Sequence, residues 1–434
     1  MHRGGQTSRS SAPDLATHAP DLATHAPDLA SHAPDLASHA PALATRAKLS
    51  ERTRFALEQN ALARAIDEAR ARGPLVDLTE SNPTRCGIAP GVEMIGHLGD
   101  PRGARYEPAP TGLRAAREAV AAYYGAVGVD ADHVVLSAST SEAYGWLFKL
   151  LCDRDDSVLV PQPSYPLFDY LAALEDVRLI PYPLVREEGF RIDLEALERA
   201  IEPRTRAILV VSPNNPTGTF TRRDEAEALE RLARARGLAL VVDEVFADYA
   251  WGPLAADRLP TFAGREAALT FVLSGLSKVA ALPQVKLGWL ICQGPEGERT
   301  AALERLEVIA DTYLSVGTPI QLALPDILAA RGDVQAQIRA RVAENLAALD
   351  ASLARHPAVR RLPSDAGWCA VLEVPRTMPD EAWAELLVRE LGVVVHPGWF
   401  FEFEREGHLV VSLLPEPTTF GLAAERVLAR LAEG

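Results

Sequence analysis

The chain has few cysteines and no long apolar run. Its 434 residues include four cysteines, and their spacing fits neither a zinc site nor a disulfide framework. They are Cys86, Cys152, Cys292 and Cys369. Unpaired thiols are typical of a protein of the reducing cytoplasm, and we predict that location. No stretch approaches the roughly 18 uninterrupted apolar residues of a transmembrane helix, so we expect no membrane partner. The scattered cysteines lead us to expect no metal.

Basic residues are fewer than acidic residues. The 44 lysines and arginines are outnumbered by 59 aspartates and glutamates, which gives a formal net charge of −15. A surface this acidic repels a phosphate backbone, so we expect no nucleic-acid partner. The N-terminus has no apolar run of the kind that a secretory signal needs. Its first ten residues are basic and hydroxyl-bearing, as in a transit peptide, but the aspartates that follow count against one.

A tandem heptapeptide dominates residues 1–46. APDLATH at residues 12–18 recurs three times with small changes and decays to APALATR at Arg46. A coiled coil also has a period of seven, but here a proline in every repeat breaks a helix every two turns. We therefore expect a disordered tail. The histidine of each repeat could bind metal, although replication slippage that left a solvated tail explains the pattern more simply.

The rest of the chain alternates between two kinds of apolar pattern. Residues 47–75 form a predicted helical arm, with helical spacing over 50–71 and a stop at Gly73 and Pro74. Apolar runs then predict strands at 134–137, 157–161, 206–213, 238–245, 269–273 and 287–292, and amphipathic patterns predict helices at 112–125 and 222–237. Buried strands that alternate with helices indicate an α/β domain with a largely parallel sheet, here residues 76–325.

The pattern changes near residue 326. A long helix is predicted over 333–355, followed by antiparallel-looking strands around GWCAVLEV and HLVVSLL and by a last helix over 418–432. We therefore predict a second, smaller α+β domain over residues 326–434.

Unusual residues follow the predicted strands, where open α/β sheets bind their ligands. Ser139, Thr140 and Ser141 open a helix after strand 134–137, which suits an anion such as phosphate and equally suits ordinary N-capping. Tyr165, in the segment PSYP, could stack on a flat ring or simply pack within its loop.

Three further strand ends carry polar residues. The turn NNPTG holds Asn215, whose amide could reach a ligand oxygen, although such residues are also common in plain turns. Asp243 follows an apolar strand and needs either a cation or a backbone N–H as a partner. Lys278, in SGLSK, is a candidate Schiff-base amine or a surface charge.

Taken together and in order, these segments resemble the aminotransferase class I/II family of fold-type-I enzymes that use pyridoxal phosphate (PLP). SASTSEA, PSYP, NNPTG, DEVF and SGLSK, with Lys286 eight residues after Lys278, carry the resemblance. LTESNPT, YEPAPTG and PGWFF add to it, and it extends from about residue 50 to residue 434. It implies a three-layer α/β large domain, a smaller α+β domain and a homodimer.

The resemblance also implies a role for each residue. Lys278 would hold the cofactor covalently and move the proton of the reaction, and Asp243 would pair with the ring nitrogen. Asn215 would bind the ring hydroxyl and Tyr165 would stack on the ring. The phosphate contacts would come from Ser139, Thr140, Ser141 and Lys286, and from Tyr106 of the neighbouring subunit.

Three positions depart from the family. Phe246 stands where a tyrosine is usual, so Asn215 would bind the ring hydroxyl alone. Lys286 replaces an arginine and loses its two-pronged fork. Val410 takes the place of the arginine that clamps the substrate carboxylate. Either the substrate lacks a carboxylate there, or a basic residue from elsewhere substitutes for the clamp: Arg85, Arg105, Arg405 or His408.

The sequence thus predicts an aminotransferase that moves an amino group between a small amino compound and a 2-oxo acid. A second possibility is another PLP reaction on the same fold, carried out by a lyase, decarboxylase or synthase, because fold alone does not separate these. A PLP-binding sensor is a third, and the presence of Lys278 argues against it.

Overall fold

The structure is a computed structural model that describes residues 49–434 except Arg54, Ala56 and Leu57. The predicted disordered tail over residues 1–46 lies outside the described residues and stays a prediction. Among the described residues, no helix is both long and apolar enough to cross a membrane.

Helices and strands alternate along most of the described chain. The helices are α1 (Ala61–Arg72), α2 (Val92–Gly96), α3 (Arg114–Tyr123), α4 (Thr140–Leu151), α5 (Phe168–Leu174), α6 (Leu194–Ala200), α7 (Arg223–Arg236), α8 (Leu276–Val279), α9 (Glu296–Tyr313), α10 (Thr318–Leu353), α11 (Asp380–Leu391) and α12 (Pro417–Ala432). The strands are β1 (Val76–Asp77), β2 (Val134–Ser137), β3 (Ser157–Gln162), β4 (Arg178–Val185), β5 (Arg191–Ile192), β6 (Thr205–Val211), β7 (Ala239–Asp243), β8 (Thr270–Gly275), β9 (Gly288–Gln293), β10 (Arg360–Arg361), β11 (Cys369–Glu373), β12 (Val393–Val394), β13 (His396–Pro397) and β14 (His408–Ser412).

An eight-stranded sheet organises the first part of the chain. Its order is β2-β9-β8-β7-β6-β3-β4-β5, and the pairs from β8 to β4 are parallel. β9 runs antiparallel to both of its neighbours, so β2 and β8 point the same way. The carboxyl ends of β2, β3, β6, β7 and β8 therefore lie at one edge of the sheet, which confirms the predicted α/β architecture.

Each face of this sheet packs against helices. Leu240 and Val242 point to one face, with α3, α7 and the first part of α10, whereas Val241 points to the other face, with α4, α5 and α9. Alternating side chains of one strand thus bury both faces, as a parallel sheet with helices on two sides requires.

A smaller four-stranded sheet follows, in the order β10-β11-β14-β13 with antiparallel pairs. α1, α11, α12 and the second part of α10 pack with it in a separate apolar cluster. The predicted change of pattern near residue 326 falls inside α10, which runs unbroken past Pro325. The boundaries of the two domains stay a prediction.

Several predicted elements differ from those of the structure. The helix expected over 50–71 begins only at Ala61, because the Asn60 side chain accepts a hydrogen bond from Ala63 N (2.7 Å) and caps the first turn. The strand expected over 206–213 ends at Val211, two residues before Pro213, which has no N–H to donate. The helix expected over 333–355 is the second half of α10.

β4 is a strand that the sequence analysis missed. Its sequence, RLIPYPLV, contains Pro181 and Pro183, and prolines usually argue against a strand. Both prolines fit because backbone nitrogens two residues apart point to the same side of a strand, so the two missing N–H groups fall on one side. β4 pairs with β3 along Arg178–Pro183, so both prolines can face away from β3 without breaking that ladder.

Candidate active site

Lys278 lies on one turn of helix at the carboxyl edge of the large sheet. β8 ends at Gly275, and α8 starts at the next residue. The amino nitrogen Nζ of Lys278 is 5.0 Å from the centre of the Trp368 ring and 5.6 Å from that of Phe246. Burial lowers the pKa of this amine, against smaller opposing effects of Cys369 and Asp243. The site therefore favours the neutral amine, which is the nucleophilic form.

Asp243 ends the adjacent strand, β7, and is buried. Its Oδ2 accepts a hydrogen bond from the Tyr144 hydroxyl (2.9 Å), and its Oδ1 accepts one from Val245 N (3.0 Å). Burial raises the pKa of this carboxyl, while the two hydrogen bonds and Lys278 act in the opposite direction. A buried carboxylate in this setting is stabilised by a cation placed beside it.

The loops after β3 and β6 are joined at the same edge. Asn214 Nδ2 donates to Pro163 O (3.2 Å), and Asn214 Oδ1 accepts from the Thr217 hydroxyl (2.9 Å). The Asn214 amide therefore holds the loops together, while the predicted residue Asn215 is half-buried at the same turn. Tyr165 is also half-buried, and its ring meets Phe168 edge-on at 5.9 Å.

The predicted phosphate residues open helix α4. Ser139 is its N-cap, and the Ser139 hydroxyl accepts from Glu142 N at 3.1 Å, so the N-capping alternative is realised. Thr140 and Ser141 form the first turn and are half-buried. The free backbone N–H groups of such a first turn can bind an anion.

Two glycines bring this helix start close to the turn that carries Lys278. A Cβ built on Gly288, at the start of β9, would lie 3.0 Å from Ser139 C and Thr140 N. A Cβ on Gly275 would lie 2.9 Å from the Gly288 Cα. The start of α8, the start of β9 and the start of α4 are thus in contact, which places Lys278 and the three hydroxyl residues around one site.

The two other predicted residues, Lys286 and Tyr106, are exposed. Lys286 has a left-handed backbone (φ 56°) directly before Leu287, whose carbonyl accepts from Leu276 N at 3.0 Å. Tyr106 is 71% exposed. The predicted contact of Tyr106 is with a neighbouring subunit, and exposure in a single chain agrees with such a contact.

The position of the missing carboxylate clamp is apolar. Val410 is fully buried in a cluster with Phe190, Leu362, Val371 and Phe401.

The four basic residues considered as substitutes differ in their surroundings. Arg105 is exposed and pairs with Glu107 (3.0 Å). Arg405 is exposed as well. His408 is buried, and burial lowers its pKa. Arg85 is half-exposed, and its Nε lies 3.0 Å from the carboxylate of Glu80, which is buried.

Three aromatic residues near the site were not predicted. Tyr144 binds Asp243, Trp368 lies beside Lys278, and the Tyr249 hydroxyl donates to the Lys278 carbonyl (2.5 Å). These residues are distant from Lys278 in the sequence, and only the fold brings them near the site. Tyr144 was hidden in the apolar run of α4, and Trp368 lies 90 residues from Lys278 along the chain.

This arrangement has known counterparts. The family model described as "Aminotransferase class I and II" matches residues 91–424, which is most of the chain. The chain belongs to this family. A search of solved structures finds the same fold in an alanine aminotransferase from Pyrococcus furiosus, with a TM-score of 0.79 and 22% identity. That match covers 89% of this chain and all of the other.

Curated relatives include enzymes of more than one reaction type. An S-alkyl-thiohydroximate lyase of Arabidopsis thaliana is 31% identical over 52% of this chain and 50% of its own length. An arginine–pyruvate transaminase of Pseudomonas aeruginosa is 29% identical over 74% of this chain and 81% of its own. The transaminase match is the longer of the two. Against most of the first curated relatives, this chain spans about half of the relative's length.

Membership of the family implies PLP as the cofactor, and the residues present fit that group. The buried Asp243 carboxyl suits a ring nitrogen, the start of α4 suits a phosphate, and the Lys278 amine suits an aldehyde. Two buried polar atoms beside these residues have no hydrogen-bond partner within the described chain: Ser164 Oγ, next to Tyr165, and Trp368 Nε1, next to Lys278. A group bound in the site would supply partners for these two, although other buried atoms without a partner, such as Asn345 Oδ1 on α10, exist among the described residues.

Proposed function

We propose that the protein is a PLP-dependent aminotransferase that moves an amino group between a small amino compound and a 2-oxo acid. One observation carries the proposal. Asp243 ends β7 and Lys278 lies just after the adjacent strand β8, and burial pushes the pKa of the lysine down and that of the carboxyl up. Opposite shifts of two neighbouring groups are typical of a site that performs proton chemistry.

In this proposal each residue acts on one part of the cofactor. PLP, when bound, supplies an electron sink next to the substrate nitrogen. Lys278 holds it covalently and carries the proton that the reaction moves, while Asp243 holds the charge of the ring nitrogen. The remaining contacts follow the family: Asn215 to the ring hydroxyl, Tyr165 on the ring face, and Ser139, Thr140, Ser141 and Lys286 to the phosphate.

A second candidate is a different PLP reaction, such as that of a lyase. The buried Val410 favours it, because an aminotransferase for ordinary α-amino acids is expected to clamp their carboxylate. The similarity to the Arabidopsis lyase also supports this candidate. An aminotransferase remains the first proposal, since the matching family is the aminotransferase family and longer-matching relatives are named as transaminases.

The assembly and the location are further proposals. We propose a homodimer in which Tyr106 reaches the phosphate site of the partner, and a cytoplasmic protein. Mixing Tyr106→Phe with Lys278→Ala subunits would test the first, because one hybrid site escapes both lesions. Recovery of activity is expected, and a fully active monomer would refute the shared site.

The cofactor and the reaction are tested separately. The purified protein should be yellow, and borohydride should fix the cofactor to wild type and to Lys149→Ala, a control at a surface lysine, but not to Lys278→Ala. A colourless protein that binds no added PLP would overturn the proposal. Amino donors are then screened with pyruvate and 2-oxoglutarate. Release of ammonia or carbon dioxide without a new amino acid would favour the second candidate.

A further inference from the structure

The helix turn that carries Lys278 is too short to satisfy its own carbonyls. α8 has four residues, and a helix leaves its last four carbonyls without partners inside the helix. Backbone amides bind the Leu276 carbonyl (Ala280 N at 3.1 Å), whereas Ala281 N is 3.4 Å from the Lys278 carbonyl. Two side chains supply stronger donors to the last carbonyls.

The first donor is Tyr249. Its hydroxyl donates to the Lys278 carbonyl at 2.5 Å. The ring is 2% exposed and meets Trp368 edge-on, with centres 5.0 Å apart. Burial raises the pKa of the hydroxyl, so it stays protonated and can donate. Phe246, which packs on the same Trp368 ring at 5.3 Å, has no hydroxyl to offer.

The second donor is Gln335, on the long helix α10. Its Nε2 donates to the Val279 carbonyl (2.8 Å) and to Asp248 Oδ2 (2.6 Å). Asp248 also accepts from the Tyr123 hydroxyl at 3.0 Å. Gln335 is buried, so these bonds are shielded from water. Hydrogen bonds from Gln335 therefore tie the turn of Lys278 to α10. The first part of this helix packs on the large sheet and its second part packs with the small sheet.

We infer that Tyr249 and Gln335 are positioning residues that hold the backbone of Lys278 where its amine meets the cofactor. The inference rests on the proposed PLP chemistry. Neither side chain touches the reacting atoms. Each fixes a carbonyl next to the lysine, and loss of either lets the single turn relax, so that PLP binding has to order it again.

The experiment measures PLP binding to the apoprotein by fluorescence titration. Tyr249→Phe removes one hydroxyl, and Tyr182→Phe is its matched control, since the buried Tyr182 hydroxyl donates to the Leu209 carbonyl (2.8 Å) on β6. A buried carbonyl that loses its better donor costs enough to weaken binding roughly fivefold to tenfold. We expect that loss in Tyr249→Phe and in Gln335→Leu, and a change below about twofold in Tyr182→Phe. Melting temperatures of the three apoproteins check that each folds.

A thermodynamic cycle separates positioning from a structural effect. In a Lys278→Ala background there is no amine to position, so adding Tyr249→Phe should leave PLP affinity unchanged. Equal weakening in both backgrounds would overturn the inference, as would wild-type affinity in Tyr249→Phe while the melting temperature falls. If wild type itself binds no PLP, the proposed function fails and the inference with it. Wild-type binding with an unaffected Tyr249→Phe overturns the inference alone.

Discussion

Removing the Tyr144 hydroxyl tests how the site holds its buried carboxylate. Asp243 Oδ2 accepts from this hydroxyl at 2.9 Å, and both side chains are buried. A hydrogen bond to a charged group contributes about 1.5–3 kcal/mol. In Tyr144→Phe the pKa of Asp243, already raised by burial, should rise further, so more of the apoprotein holds a neutral carboxyl.

A neutral carboxyl cannot balance a cationic ring nitrogen. PLP binding then has to include the loss of the proton, and its Kd should rise roughly tenfold to a hundredfold at pH 7, since ~1.4 kcal/mol is tenfold. The effect on Kd should shrink as the pH is raised, because the carboxyl of the variant is then already ionised. Equilibrium dialysis of PLP against the apoprotein between pH 6 and about 9 measures both.

Tyr124→Phe provides the control. The Tyr124 hydroxyl is also buried, but it accepts from Trp289 Nε1 (3.1 Å) and has no hydrogen bond to Asp243. A Kd of Tyr144→Phe within about twofold of wild type across this pH range would refute the reasoning, because a bond of this class accounts for more than that.

Three further predictions concern the phosphate site, the loop after the PGWFF segment and the substrate carboxylate. Gly288→Ala should weaken PLP and free phosphate binding roughly tenfold, because the new Cβ displaces the start of α4 and overpacking costs about 1–3 kcal/mol. Glu402→Gln should raise the melting temperature above pH 7 but not near pH 4.5. Burial, the negative charge of Asp169 and a hydrogen bond with Asp169 raise the pKa of Glu402 from 4.5 to about 7, so the folded state carries a penalty above pH 7 that disappears as the pH falls to 4.5. Arg85→Ala should lower kcat/KM for α-amino acids roughly tenfold, because the loss of a charged hydrogen bond to a carboxylate costs about 1.5–3 kcal/mol.

Each of these has a matched control. Gly297→Ala adds a Cβ that meets no atom within 4 Å, so its PLP affinity should equal that of wild type. Glu404→Gln changes an exposed carboxylate two residues from Glu402 and should not alter the melting curve with pH. Arg105→Ala removes an exposed, surface-paired arginine. If Arg105→Ala and Arg85→Ala reduce turnover equally, or if neither does, Arg85 is not the substitute clamp.

The fold was largely predictable because its signals are local. An apolar run such as 206–213 or 269–273 needs no distant partner to be identified, and each lies within two residues of the observed β6 or β8. The start of α1 was misjudged because capping by Asn60 overrides an apolar spacing that continues on both sides of it. β4 was missed because the tolerance of its prolines depends on which side of the strand has a neighbour, and only the sheet order gives that.

The candidate site divides in the same way. Asp243 ends a strand and Lys278 lies three residues after one, and the sheet order alone brings strand ends together, so the sequence pattern could select both. Tyr144 and Tyr249 act through single hydrogen bonds across 99 and 29 residues of chain, and Gln335 reaches the Val279 carbonyl across 56 residues. No periodicity encodes such a bond, because it depends on the direction of one side chain in the packed core.

Burial in the packed core also explains why the Lys278 amine and the Asp243 carboxyl suit one ligand. Burial disfavours the charge of Lys278 and that of Asp243, and although they attract each other, the attraction does not cancel either shift. Burial therefore makes the charged form of each group costly at this site. A ligand that brings a carbonyl to the amine and a cationic nitrogen to the carboxylate offers a partner to each group. A flat ring with these two groups satisfies both residues together, whereas a ligand with only one of them leaves the other residue without a partner.

PLP and its 4-deoxy analogue, which lacks the carbonyl, should therefore differ in affinity far more in wild type than in Lys278→Ala. Equal ratios in the two proteins would show that the amine plays no part in selecting the ligand.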